Sequence, residues 1–371
     1  MDKSSRFGTR LEGPVSSDAI EEALSVAWGL GRAEGSIPSV RASVLSLIVF
    51  VADARAVDQV FDALDSLSRQ HPSRTIVLIP DLPDAPDDQC VWYSAECVGN
   101  AGQGQLVCSE RVVIAARGHA VRYLAPLTDQ LMLADLPAAL WWVGDFSPQY
   151  DALSERLAEM VDRLFVDSGD FRVPNLSFAR VNWIGRQGHL ACAVSDLNWT
   201  RLIPLRELVA QFFSAPAYRR QVTRLDRIHL QYADNRLSEA QSLLLLGWLA
   251  SRLDWRLEEA GRFSRPDGKI VSVRLERDAA SDQLGLRRVA LVAGDETSFL
   301  VARQDDDLHA LTEVDVAGSP PLRRIVRFET PERGALLATE LMFFGRDRIY
   351  EDALSVAVAL IRSGRHNVPR R

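Results

Sequence analysis

The sequence predicts an α/β chain: an N-terminal, mostly parallel sheet with flanking helices, followed by an α+β domain with a mostly antiparallel sheet. Two patterns predict this. In the first half, continuous apolar runs alternate with stretches whose apolar residues recur at helical spacing, as expected of strands buried on both faces with helices between them. In the second half, short alternating runs follow one another and helices come last, the order of an antiparallel sheet with its helices set to one side. A length of 371 residues suits two domains, at roughly 150 residues for a typical domain.

Residues 1–39 read as a polar leader with one short helix, Asp18 to Trp28. The α/β domain occupies 40–216. It opens with the apolar run "VLSLIVFVAD". Val57, Val60, Phe61, Leu64 and Leu67 then fall at helical spacing, and "TIVLIPD" gives a second buried strand, which makes a parallel βαβ unit. "CVWYSAEC" and "QLVCSERVVI" form two strands around "VGNAGQG". A helix over His119–Leu133, the strand "LPAALWWVG", a helix over Tyr150–Arg163 and the strand "RLFVDSG" follow. The α+β domain occupies 217–371. It contains the strand "RIHLQYA", then a leucine-rich helix to Leu257 whose Ser238 and Gln241 have capping-box spacing. "RPDGK" turns the chain into alternating Val271, Val273 and Leu275. "RRVALVAG", "SFLVAR" and "RRIVRFE" continue the series, and Thr330-Pro331 starts the final helices.

Composition narrows the function classes. A net charge of −7 argues against a nucleic-acid partner. Only Lys3 and Lys269 are lysines, so nearly all positive charge is arginine, a residue suited to interfaces. No stretch reaches the about 18 continuous apolar residues of a membrane span, and the N-terminus lacks the apolar core of a signal peptide. No membrane partner and a cytoplasmic location are therefore expected.

The usual chemical motifs are missing from the sequence. The first strand runs into "ADARAVDQ" without a glycine, so side chains obstruct the close backbone approach that a pyrophosphate needs. The cluster "GNAGQG", Gly99 to Gly104, has neither Walker-A nor GxGxxG order and fits a hairpin loop. The histidines form no HxxxH and the cysteines no CxxC; no serine lies in a GxSxG elbow. No catalytic residue, metal or cofactor is expected. Three polar stretches carry two readings each. "HPSR", His71 to Arg74, is a polar site beside a strand or a helix stop. Asp135 and Asp167-Ser168 are ligand groups at strand ends or turn caps. With a two-residue turn at Gly102-Gln103, Cys97 falls opposite Cys108, as a candidate redox pair or as two small buried side chains.

One stretch concentrates interface residue types: "SDLNWTRLIPLRELVAQFF", Ser195 to Phe213. Leu205, Leu208, Val209 and Phe212 share one helix face, and Pro204 belongs at or before the first turn. "SDLNWTR" is then an irregular lead-in anchored by Trp199. Trp199, Arg201 and Arg206 are candidate partner-binding residues, since Trp and Arg are enriched where binding energy concentrates. The alternative is a core helix with an internal arginine salt bridge.

"DLNWTRLIPLRELVAQFF" resembles the signature of the OpcA family, the glucose-6-phosphate dehydrogenase assembly proteins of cyanobacteria and actinobacteria. "HPSRTIVL", "DLPAALWW" with "DRLFVDS", and "LLLGWLASRLDW" match the same family in order, covering about residues 40–257. The chain departs from the pattern at Leu205, where the family has Trp. The resemblance implies a non-enzymatic partner of glucose-6-phosphate dehydrogenase that promotes its assembly or activation in the oxidative pentose phosphate pathway. The competing class is an enzyme or sensor that binds a sugar phosphate or nucleotide on the first domain.

Because Cys97 and Cys108 are the pair that falls opposite in the hairpin register, any redox response is expected to be weak and to run through them. Peptide mass spectrometry after mild oxidation checks this, and a crosslink containing Cys192 would overturn the register.

Overall fold

The structure, a computed structural model, describes residues 6–13, 15–30, 39–41, 43–68, 71–82, 85, 87–100, 105–187, 192–258, 261–279, 283–294, 296–342 and 345–363. The chain begins with β1 (Thr9–Arg10), α1 (Ser17–Leu30), β2 (Ser39–Arg41), β3 (Ser46–Val51), α2 (Val57–Ser68) and β4 (Arg74–Pro80). Next come β5 (Gln89–Asn100), β6 (Gln105–Ala116), α3 (Leu124–Leu131), β7 (Ala138–Val143), α4 (Asp151–Glu159) and β8 (Arg163–Val166). Then follow α5 (Pro174–Arg186), β9 (Ala193–Asp196), α6 (Leu197–Arg201) and α7 (Ile203–Ser214).

These strands form one sheet in the order β1-β5-β6-β4-β3-β7-β8-β9, with β2 also paired to β6. The pairs β2–β6, β6–β4, β4–β3, β3–β7 and β7–β8 are parallel; β1–β5 and β5–β6 are antiparallel. Every residue of β3, β4, β7 and β8 is buried, which is why these segments read as mainly apolar runs, with the polar residues Ser46, Arg74, Thr75 and Arg163 at their starts. On α2 the predicted stripe of Val57, Val60, Phe61, Leu64 and Leu67 is the buried face.

The leader is more than polar chain. Phe7 is buried against Phe61 and Trp92, with ring centroids 5.2 Å away in both cases, and Ile20 and Leu24 of α1 are buried too. The helix expected over His119–Leu133 splits into a 3₁₀ segment, Gly118–Tyr123, and α3; Pro126 sits where a helix tolerates it, in the first turn. The helix expected over Tyr150–Arg163 ends at Glu159, because Arg163 already belongs to β8. Helix α5 has no counterpart in the sequence reading.

The remaining elements are β10 (Leu225–Ala233), α8 (Arg236–Arg252), β11 (Arg256–Leu257), β12 (Arg262–Ser264), β13 (Ile270–Asp278), β14 (Leu286–Ala293) and β15 (Thr297–Arg303). They are followed by β16 (His309–Val316), β17 (Leu322–Arg327), α9 (Arg333–Glu340) and α10 (Arg348–Arg362). The second sheet runs β11-β12-β13-β10-β14-β15-β16-β17, with only β10–β13 parallel. Three local expectations shift. Asn235 rather than Ser238 caps α8, its side chain accepting the Ser238 N–H at 2.9 Å. Helix α8 stops at Arg252, ahead of Asp254 with φ 53°, a turn conformation that a helix cannot continue. Helix α9 starts at Arg333 with Glu332 as its cap, two residues beyond Thr330-Pro331.

Contacts resolve the chain into two compact units that interleave along the sequence. One comprises residues 1–167, 184–195 and 332–346, and the other 168–183, 196–331 and 347–371. A single cut between residues 216 and 217 is a proposal about independently folding pieces, which limited proteolysis tests.

Within the second unit, α8 meets α10 at Gly247, where an added Cβ would lie 2.2 Å from the Ala353 carbonyl oxygen. A helical Gly→Ala change normally stabilises by about 1 kcal/mol. Gly247→Ala is expected to do the reverse and destabilise by about 1–3 kcal/mol through overpacking. Denaturant unfolding reads the sign, and a stabilised variant would contradict this packing.

Candidate partner-binding site

In an open parallel sheet, ligands bind where successive connections diverge, at the carboxyl ends of the strands. Here that point lies between β3 and β7, and aromatic side chains stack near it. Trp142 stacks on Phe50 at 4.0 Å and on Phe146 at 4.5 Å, with Tyr150 edge-on to Phe50 at 5.2 Å. The Tyr150 hydroxyl donates to Asp81, and burial together with that neighbouring charge pushes its pKa up. Beyond β3, the Asp53 carboxylate accepts the Arg55 N–H at 3.0 Å and caps a short 3₁₀ turn.

The polar stretches singled out from sequence are tied into the fold. Arg74 of "HPSR" is buried; it donates to Glu110 at 2.7 Å, to Glu21 of α1 and to the Leu131 carbonyl. Burial opposes its charge, but the hydrogen bond to Glu21 and the charge of Glu110 outweigh burial and hold its pKa above the ordinary value. Asp135 is an exposed turn residue with φ 64°. Asp167 is buried and pairs with Arg333 at 3.1 Å. Ser168, also buried, belongs to the network that holds the signature. The "GNAGQG" loop falls partly on residues 101–104, outside the described residues.

The signature is not an irregular lead-in. Strand β9 ends at Asp196, whose carboxylate accepts the Asn198 N–H at 2.8 Å and caps α6. The same oxygen accepts the Ser168 N–H at 2.9 Å. The Asn198 amide donates to Ser168 Oγ at 3.2 Å and to the Leu237 carbonyl at 3.1 Å, and accepts from Gln241 Nε2 at 3.0 Å. Gln241 Oε1 in turn accepts the Leu286 N–H. Asn198 was not singled out from sequence, and Gln241 only for its capping-box spacing with Ser238. The available signal was two amide side chains on otherwise apolar stretches, and nothing local pairs them.

Trp199 is 2% exposed, as an anchor should be. Its indole N–H donates to Asp347 at 2.9 Å, and the other Asp347 oxygen caps α10 through the Tyr350 N–H. The Arg206 guanidinium lies 3.5 Å over the Trp199 ring and donates to the Trp199 carbonyl. Arg206 is half-buried, whereas Arg201 on α6 is buried. Pro204 opens α7, and Leu205, Leu208, Val209 and Phe212 are its buried face, in agreement with the sequence.

In the β5–β6 ladder Cys97 is the register partner of Cys108. Their side chains lie outside the described residues, so a disulfide between them stays a proposal. Cys192 is buried, and desolvation pushes its thiol up to about 12, which makes it a poor thiolate. Among the described residues no cluster of metal-ligating groups occurs, and no helix is long and apolar enough to cross a membrane.

Two family models match in succession. One, described as the glucose-6-phosphate dehydrogenase subunit N-terminal domain, matches residues 64–182; the other, described as the C-terminal domain of the same subunit, matches 192–354. The chain belongs to the OpcA family. Among its OpcA relatives, one from Synechocystis is 24% identical over 94% of this chain and 74% of that protein. One from Synechococcus elongatus is 27% identical over 81% and 70%, and one from Nostoc punctiforme 25% over 80% and 67%. All three are assigned by name to the OxPP cycle. A solved scyllo-inositol dehydrogenase of Lactobacillus casei with bound NAD(H) overlays 87% of this chain and 97% of its own, at 12% identity and a TM-score of 0.38, a likeness too weak to bear on fold or function.

In this OpcA-family chain, Trp199→Ala is expected to cost about 3–5 kcal/mol, the range for a buried Trp truncated to Ala. Arg206→Ala, which removes only the covering guanidinium, is expected to cost about 1 kcal/mol. Urea unfolding separates the two, and a Trp199→Ala variant as stable as the parent would place the ring outside the core.

Proposed function

We propose that the protein is a non-catalytic assembly factor and allosteric activator of glucose-6-phosphate dehydrogenase, acting in the cytoplasm in support of the oxidative pentose phosphate pathway. The observation that carries this reading is the pair of family models, both described as parts of a glucose-6-phosphate dehydrogenase subunit, across both halves of the chain. Two features support it. Near the strand ends where an open sheet offers a ligand site, Trp142, Phe50 and Phe146 stack on one another. The buried polar groups Asp167, Ser168, Asp196 and Asn198 are engaged in hydrogen bonds and ion pairs that hold the fold.

The mechanism is a shift of population. The protein binds one conformation or assembly state of the dehydrogenase more tightly than the others, and the activation cannot exceed that difference in affinity. Trp199, Arg201 and Arg206 are the proposed contact region. Arg206 is its more accessible member, held in place by the indole beneath it, and Arg201 lies buried on α6.

The test is copurification with the dehydrogenase of the same organism, followed by rate measurements with and without this chain. Activation by about 5–150-fold is the range that ordinary allosteric coupling supplies. The chain alone, given glucose 6-phosphate and NADP, is expected to make no NADPH; turnover by a clean sample would favour the enzyme reading instead. Arg206→Ala is expected to weaken the complex by about 2 kcal/mol, as loss of an interface anchor does. If Arg201→Ala and Arg206→Ala both bind and activate unchanged, the signature serves the fold and the contact lies elsewhere.

A further inference from the structure

Helix α7 is the second half of the signature, and the edge of its apolar face borders an open groove. Leu208 and Phe212 form one wall, joined by Tyr218. The floor comes from the last two strands of the second sheet. Register pairs Val314 with Leu322 and Thr312 with Arg324, so these residues share one face of β16–β17, and Val326 continues it.

Strand β17 ends the sheet order, and among the described residues no strand pairs with its outer edge. The Phe328 N–H donates to the Leu308 carbonyl at 2.7 Å, and this bond sets the phase of the ladder. In an antiparallel pair, inward and outward main-chain groups alternate by residue. Leu322, Arg324 and Val326 therefore bond inward to β16, whereas the N–H and C=O groups of Arg323, Ile325 and Arg327 face outward. Leu322 is 63% exposed and Ile325 68%, so the edge is apolar as well as open.

Charge decides the kind of partner. Arg323 is neutralised by Glu313 at 2.5 Å, and Arg327 by Glu329. Arg324 has no carboxylate partner among the described residues, and it stands at the apolar groove. A second copy of this strand would bring arginines against arginines, which opposes pairing. An extended segment with alternating apolar side chains and a carboxylate complements all three features: the main-chain edge, the groove and the cation.

We propose that β17 is a docking edge, to which an extended acidic-apolar segment of the dehydrogenase adds as a further strand. Its apolar side chains enter the groove beside α7 and a carboxylate meets Arg324. This inference rests on the reading of the protein as a partner of the dehydrogenase.

Ile325→Pro and Arg324→Glu test it in the full chain. Proline at 325 removes an outward N–H and leaves the bonds to β16 intact, the one setting in which an edge strand tolerates proline. Arg324→Glu reverses the groove charge and keeps every main-chain bond. Binding to the purified dehydrogenase is measured by calorimetry, with melting temperature and mass in solution recorded for each variant. Both variants are expected to melt as the parent does and to bind at least about tenfold more weakly, as loss of a central contact does. Hydrogen exchange of the β17 amides should slow in the parent complex. Parent binding with both variants unchanged overturns the docking edge and leaves the proposed function standing. No binding by the parent overturns both. A parent dimer that Ile325→Pro dissociates makes a second copy the occupant and overturns the choice of partner. If Ile325→Pro fails to fold, Arg324→Glu decides alone.

Discussion

The carboxylate of Asp196 accepts two main-chain N–H groups, from Ser168 and Asn198, at a position with no solvent exposure. Helix α6 spans only Leu197–Arg201, too short to persist by its own hydrogen bonds. Its first turn exists because Asp196 supplies the acceptor that water cannot reach there. Asn198 extends the same network to Ser168, Leu237 and Gln241. Such a network is stabilising when every member is satisfied and costly when one is removed. From α6 the dependence passes outward: Trp199 reaches Asp347, Asp347 caps α10, and the Trp199 ring carries Arg206.

That hierarchy gives the polar side chains near the strand ends structural partners. Catalytic groups need accessible, poised polar atoms. Here the polar residues near the strand ends are engaged in holding main chain and side chains. Arg74 illustrates this: it sits in a family-like motif beside a strand, yet its guanidinium is enclosed by Glu110, Glu21 and the Leu131 carbonyl. Fold by itself does not select function. Among the described residues, the half-buried Arg206 and the edge of β17 beside α7 reach the surface. Both belong to the signature or border it, so one short stretch of chain fixes an internal network and shapes an outer face.

The amino-acid sequence alone determined the features that depend on local periodicity. Strands β3, β4, β7 and β8 are mainly apolar runs because both faces are covered, and the buried face of α7 is the stripe Leu205, Leu208, Val209 and Phe212. The Cys97–Cys108 register followed from counting back along a hairpin. Tertiary structure decided what depends on partners distant in the chain. The mixed polarity of "HALTEVDV" hides β16, whose residues are mostly half-buried between β15 and β17, and α5 has no strong apolar stripe to announce it. Whether Arg201 faces solvent or interior, which residue satisfies Asn198, and what accepts from the Trp199 indole all turn on groups far along the chain, at Gln241 and Asp347 in the latter two cases. A side chain's own neighbours in sequence set its backbone geometry and its side of the element. The identity of the group that meets it across the core is set only when the chain has closed, because burial forces each polar atom to find a partner wherever the fold supplies one.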